Sequence, residues 1–231
     1  MTDNYRSALI VGAGSGLSAS LARVFAKAGL RVALAARSAD KLGPLAQEIG
    51  AKTYTCDAGE RSQVEKLFAA LDTAAAPDVV VYNASYRTRG PLLDLDPAEV
   101  EKSIRIAAFG GFLVAQAAVR RMLPRGYGAV LFTGASASVK GYAQSAPFAM
   151  GKFALRGLAQ SMARELAPQG IHVAHFVIDG GIRSARRAVP ADAPDSLLDP
   201  DAIAQSYLHV LGQPRSAWTQ EVELRPWVEK F

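Results

Sequence analysis

The sequence predicts an α/β fold of three layers, α/β/α, built on a doubly wound, mostly parallel sheet of seven strands. Three observations predict it. Short apolar runs alternate with stretches of helical periodicity along the whole chain. Several runs are unbroken, as in Val79-Val80-Val81, which suits strands covered by helices on both faces. A glycine-rich turn, Gly12-Ala13-Gly14-Ser15-Gly16, joins the first run to the first helix. The chain has 231 residues, 50% of them hydrophobic, enough for one domain with a full core. No Pro/Gly/Ser-rich linker, repeat or low-complexity stretch divides it, so residues 1–231 read as a single domain holding both nucleotide and substrate sites.

The elements follow in order. Residues 7–11 form a first strand. Residues 17–28 form a helix with Leu21, Val24 and Phe25 on one face, stopped by Gly29 as a C-cap. Residues 31–36 are a second strand, and Ser38 can cap a helix reaching about Ile49. Residues 51–55 are a strand, 63–74 a helix and 78–82 a strand. Pro97 opens a long helix that runs to about Leu123, where Pro124 stops it. Residues 129–133 are a strand. After a long loop, a helix covers 145–166 and a strand 171–178. A helix at 200–211 and a strand at 221–224 complete the sheet. In such folds ligands bind at the carboxyl ends of the strands, so function is expected in the loops after them.

Charge and composition narrow the function classes. Lys and Arg exceed Asp and Glu by 26 to 21, but they are scattered rather than gathered in a basic run, which argues against nucleic acid. One cysteine, Cys56, supports neither an internal disulfide nor a Cys-based zinc site, and a reducing compartment is expected. Residues 1–7 are short and polar, unlike a signal peptide. No apolar run approaches the roughly 20 residues of a bilayer span. These readings predict a cytoplasmic protein without a membrane partner. His172, His175 and His209 lack metal-ligand spacing, so no metal is expected, and His175 reads as a core residue of its strand.

The glycine turn identifies a dinucleotide site of Rossmann type. Gly12, Gly14 and Gly16 let the backbone turn tightly and approach a phosphate. Ser15 and Leu17 sit where a helix N-terminus offers free N–H groups to an anion. At the end of the second strand an acidic residue would bind a ribose 2′-hydroxyl and favour NAD. The sequence has Ala36-Arg37-Ser38 instead, and the Arg37 fork suits a 2′-phosphate. NADP is therefore expected over NAD, and a methyltransferase, which also uses a glycine-rich loop but generally wants a carboxylate there, is disfavoured.

With these motifs in place, nearly the whole chain resembles the short-chain dehydrogenase/reductase family. Gly12, Gly14 and Gly16 resemble its cofactor loop, with Ser18 at the last glycine. Cys56-Asp57-Ala58 is similar to the segment whose Asp touches the adenine. Asn83-Ala84-Ser85 resembles the Asn-Asn-Ala-Gly motif. Asp179-Gly180-Gly181-Ile182-Arg183-Ser184 resembles the Pro-Gly segment. There, Gly180, Ile182 and Ser184 are expected near the nicotinamide carboxamide or the pyrophosphate. The order of the matches carries more weight than any one of them.

The resemblance also shows what is missing. Family members reduce a carbonyl with Ser, Tyr and Lys, supported by an Asn. The Tyr protonates the developing alkoxide, the Lys holds the nicotinamide ribose, and the Ser orients the carbonyl. Here the Tyr-x-x-x-Lys segment reads Phe148-Ala149-Met150-Gly151-Lys152. Lys152 is retained, but Phe148 stands at the Tyr position. Counting back from it places Ala135 at the Ser, and Ala107 falls at the Asn. Ser136, one residue along, and Tyr142, in the same loop, are the candidates to replace the lost hydroxyls; Tyr86 is a third. A hydride could also add to an activated C=C without the usual Tyr.

Arg87, Arg89, Lys140, Arg183, Arg186 and Arg187 lie in or near the loops after strands, where an anionic small-molecule substrate would suit them. Two functions remain open. One is an NADP-preferring oxidoreductase with an atypical proton donor. The other is a non-catalytic NADP(H)-binding regulatory or scaffold protein with a degenerate site. The resemblance further implies a homodimer or homotetramer through the two long helices, which carry Ala107, Ala108, Gly110 and Gly111.

Overall fold

The computed structural model describes residues 5–73, 76–185 and 187–229. Seven strands form a single sheet: β1 (Ser7–Val11), β2 (Arg31–Ala36), β3 (Lys52–Thr55), β4 (Val79–Tyr82), β5 (Gly128–Thr133), β6 (Ile171–Ile178) and β7 (Glu221–Leu224). Their order is β3-β2-β1-β4-β5-β6-β7. Every pair is parallel, where the sequence reading had allowed a mixed sheet.

Helices cover both faces. On one lie α1 (Leu17–Lys27), α2 (Gly43–Ile49) and α7 (Pro200–Leu211), packed against Ala8, Ile10, Val79 and Val81. On the other lie α3 (Arg61–Asp72), α5 (Gly110–Met122) and α6 (Ala146–Leu166), packed against Leu9, Val11, Val80 and Tyr82. The alternation along β1 and β4 is the period-2 pattern of a strand sandwiched between two apolar layers.

Register aligns the functional loops. Val11 pairs with Ala35 on one side and Tyr82 on the other, so Gly12, Arg37 and Asn83 leave the sheet at one edge. Strand order runs outward in opposite directions from β1 and β4, and the crevice at that switch point is where a ligand is expected.

Two elements differ from their predicted form. The 38–49 helix opens as a 3-10 turn, Ala39–Leu42, before α2, because Gly43-Pro44 restarts it; Ser38 makes no capping bond. The long helix from Pro97 is not uniform: α4 (Pro97–Ile104) passes through a π turn at Arg105–Phe109 into α5. Tyr82 causes the break from beneath, its hydroxyl donating a hydrogen bond to the Ile106 carbonyl. Gly110 permits the approach, since a Cβ there would lie 2.7 Å from the Ala58 carbonyl oxygen. The helical stretch 97–125 is long and apolar enough to cross a membrane by length and composition. Its apolar window is 50% buried inside the fold, through Ala107, Leu113, Val114 and Ala118 among others.

Candidate active site

The turn after β1 is shaped by contact. Gly12 has φ +82, and a Cβ there would fall 2.3 Å from the Ala84 nitrogen, so glycine is required both by conformation and by the β4 loop. At Gly14 and Gly16 a Cβ would meet nothing within 4 Å, and these residues leave open space in front of the N-terminus of α1. Gly16 caps that helix without any side-chain bond, so its first N–H groups stay free for an anion. Ser18, in place of a glycine, stitches the turn to β4. Its hydroxyl donates to the Gly12 carbonyl at 3.1 Å, and Asn83 Nδ2 donates to Ser18 Oγ at 2.9 Å.

A cavity of about 450 Å³ opens here, lined by Gly12, Gly14, Ser15, Arg37, Asp57, Asn83 and Ala84 among others. Seven of the predicted cofactor residues thus share one wall. Ser38 and Lys41 join Arg37 at its lip. Lys41, one helical turn beyond Arg37, was absent from the sequence reading; its position in the 3-10 turn is what turns it to the cavity. Asp57 also fixes its own loop, accepting from the Gly59 N–H at 2.9 Å. A second depression, beyond the glycine turn, brings Gly16 and Leu17 beside Gly180, Ile182 and Ser184, with Arg183 and Arg187. The two cavities and the open space at Gly14 and Gly16 fit a dinucleotide.

Lys152 lies on α6 beneath this crevice. It is buried, and its ammonium donates to the Thr133 carbonyl at 2.8 Å. Burial first, and the Arg87 charge second, push its pKa down to about 8. One turn earlier, Phe148 is also buried. The Arg87 guanidinium lies on its ring, with Cζ 4.2 Å from the centroid, and Lys152 Nζ is 5.8 Å away. Ala107 faces α6 so closely that a Cβ on Gly151 would sit 2.8 Å from the Ala107 Cβ.

The candidate hydroxyls are dispersed. Tyr86 is held on α4, hydrogen-bonded to Glu99 and to Lys102. Ser136 opens the 3-10 turn after β5, and Tyr142 is exposed. Asp179, buried at the end of β6, is ion-paired with Lys140 and with Arg225, each at 3.1 Å. Its burial is outweighed by Ser136 and by these two cations, which hold its pKa below the usual carboxylate value.

Behind Ala135 runs a second chain. The Ala135 N–H donates to Ser138 Oγ at 3.1 Å, and Ser138 Oγ lies 3.3 Å from His175 Nε2. His175 Nδ1 is 3.2 Å from Glu221, which Arg156 grips with two bonds of 2.7 Å. Burial pushes the His175 pKa down to about 4, so the ring is neutral with its single proton toward Glu221. Ser138 then donates to Nε2. Both residues are almost completely enclosed, so this chain fixes the loop rather than meeting substrate.

Known proteins resemble this chain over most of its length. The family model for short chain dehydrogenases matches residues 6–189. An uncharacterized oxidoreductase of Staphylococcus aureus (strain N315) is 27% identical over 95% of this chain and 96% of its own length. The crystal structure of a short-chain dehydrogenase from Rhodopseudomonas palustris superposes with a TM-score of 0.84 at 35% identity, covering 96% of this chain and 99% of that one. A metagenomic short-chain oxidoreductase solved in complex with NADP superposes with a TM-score of 0.84 at 26% identity, over 99% and 100% of the two chains. On the family match and this likeness in sequence and fold, the chain belongs to the short-chain dehydrogenase family.

Proposed function

We propose that this protein is an NADP(H)-dependent oxidoreductase that transfers hydride to or from a small carbonyl compound or an activated alkene, using a proton donor outside the usual helix position. The lip formed by Arg37, Ser38 and Lys41 supports NADP over NAD, as does the NADP held by the metagenomic relative. Bound NADPH supplies the hydride. Gly12, Gly14, Ser15, Gly16 and Leu17 would hold the pyrophosphate, Asp57 the adenine, Asn83 and Ala84 the adjoining sugar, and Lys152 the nicotinamide ribose. Gly180, Ile182 and Ser184 would face the carboxamide.

Phe148 has no proton to give. The observation that carries this proposal is the Lys140–Asp179 ion pair at 3.1 Å, which anchors the loop that also holds Ser136 and the exposed Tyr142. Serine, lysine and tyrosine groups would then come from this one loop rather than from α6. In the reducing direction the carbonyl carbon gains hydride and the oxygen gains the Tyr142 proton. The Lys140 ammonium stabilises the phenolate left behind, and water returns the proton.

A second reading, a nucleotide-binding protein without turnover, is favoured by one observation: Phe148 is buried and capped by Arg87. NADPH oxidation over a panel of aldehydes, ketones and enones separates the two. On the enzyme reading, Tyr142→Phe lowers kcat by about a hundredfold while NADPH affinity stays unchanged. Unchanged turnover in that variant removes Tyr142 from the mechanism. No turnover in the wild type, with activity created by Phe148→Tyr plus Ala135→Ser, establishes the second reading.

A further inference from the structure

Of the cations expected over the crevice, Lys140 is paired with Asp179 at 3.1 Å and Arg183 with Asp199 at 2.9 Å, and Arg186 lies outside the described residues. Two cations at the opposite pole of the sheet have no carboxylate partner among the described residues. They are Arg31, which opens β2, and Lys52, which opens β3.

Strand register brings these two together. Lys52 pairs with Ala33, and Arg31 lies two residues before Ala33, so all three face one side of the sheet. Ser7 pairs with Arg31, and Tyr54 follows Lys52 by two residues, so both share that side. All five line one cavity of about 400 Å³, together with Leu71 of α3 and Pro77. Around the amino edge of the sheet the same cavity reaches Leu30 and Ile49, at the ends of α1 and α2. Its volume lies in the range of small-molecule sites, roughly 300–1,000 Å³.

The lining is divided by chemistry. Leu30, Leu71 and Pro77 give it a buried apolar wall. Its polar side chains are all donors, and no carboxylate lines it. Arg31, Lys52 and the Tyr54 hydroxyl make no side-chain hydrogen bond among the described residues. The Ser7 oxygen already accepts from the Asp78 N–H at 3.1 Å, which leaves its proton to give. The helix ends beside the cavity offer little to a cation. The Phe25, Ala26 and Ala46 carbonyls accept from the N–H groups of Leu30, Gly29 and Ala51. Neighbouring positive charges without a counter-charge are lowered in energy by an anion. The wall beside them gains by being covered with hydrocarbon. A carboxylate offers the paired oxygens that a guanidinium fork takes.

We propose that this cavity is a binding site for a small amphipathic carboxylate, its head between Arg31 and Lys52 and its hydrocarbon against Leu71 and Pro77. The site lies at the amino ends of β1 and β2, whereas the Gly12 turn and Arg37 follow their carboxyl ends, so it is separate from the cofactor crevice. It does not depend on the oxidoreductase reading.

Calorimetric titration of the full chain with octanoate tests it, with octanol and acetate as probes of the chain and the head alone. Octanoate should bind saturably at one site, at least about tenfold more tightly than either. Arg31→Gln and, separately, Lys52→Gln, both at exposed positions, should each weaken it by about fivefold or more. NADPH affinity, read by its fluorescence, should stay within about twofold of the wild type in both variants. Circular dichroism melts confirm that each variant folds. Absence of saturable octanoate binding overturns the proposal, and so does binding that either variant leaves intact. Displacement of octanoate by saturating NADP assigns it to the crevice and also overturns the site. Octanol or acetate binding as tightly as octanoate overturns the ligand class.

Discussion

The adenosine ribose of NADP carries a phosphate that NAD lacks, and the groups facing it decide between them. Arg37 lines the lip of the cavity with Ser38 and Lys41. Replacing Arg37 with Ala removes the planar fork and its charge, leaving the Lys41 ammonium as the cation at the lip. NADPH should bind about tenfold more weakly in Arg37→Ala, with NADH affinity nearly unchanged, as fluorescence titration will read. Equal losses for both cofactors would mean that Arg37 serves some other part of the site. At this scale the sequence was informative about backbone and charge: Gly12, Arg37 and Asn83 all face the crevice as expected. It was silent on side chains whose partners lie far along the chain. The Lys140–Asp179 ion pair joins the loops after β5 and β6, the Arg87–Phe148 stack joins the loop after β4 to α6, and no local pattern announces either.

Elements were legible in kind and order, because the 2.0 and 3.6 periods persist through them. Their interruptions were not. The π turn at Arg105–Phe109 depends on a Tyr82 hydroxyl arriving from β4, a tertiary contact that overrides a continuous helical pattern. The junction of β5, β6 and β7 shows a further tertiary effect, with consequences for pH. His175 is neutral in the folded protein, its pKa lowered from 6.5 to about 4, with Glu221, Arg156 and Lys152 as its charged neighbours. The unfolded chain therefore takes up this proton first. Stability should fall as pH drops from about 6.5 toward 4, by about 2 kcal/mol at pH 5 from this residue alone. Thermal melts between pH 7.5 and 5 should show that slope, and His175→Gln should flatten it. An equal slope in the variant would remove His175 as the source.

At the scale of the whole molecule, the outer sides of the two long helical stretches remain apolar. Phe109, Phe112, Met150 and Phe153 are between 40% and 51% exposed, and Phe109 stacks on Phe112. A patch of this kind fits the homodimer or homotetramer expected from the sequence. Light scattering should report an oligomer that Phe112→Lys with Phe153→Lys converts to monomer; a monomeric wild type would refute this assembly. The same stretches constrain any redesign of the site. Ala107 is fully buried, and its Cβ closes on Gly151 across the gap between helices. An asparagine at 107 would need room that α6 now fills, at a cost of about 1–3 kcal/mol. Installing that amide is therefore a question of backbone spacing rather than of one side chain, since α6 would have to draw away from the π turn before it fits.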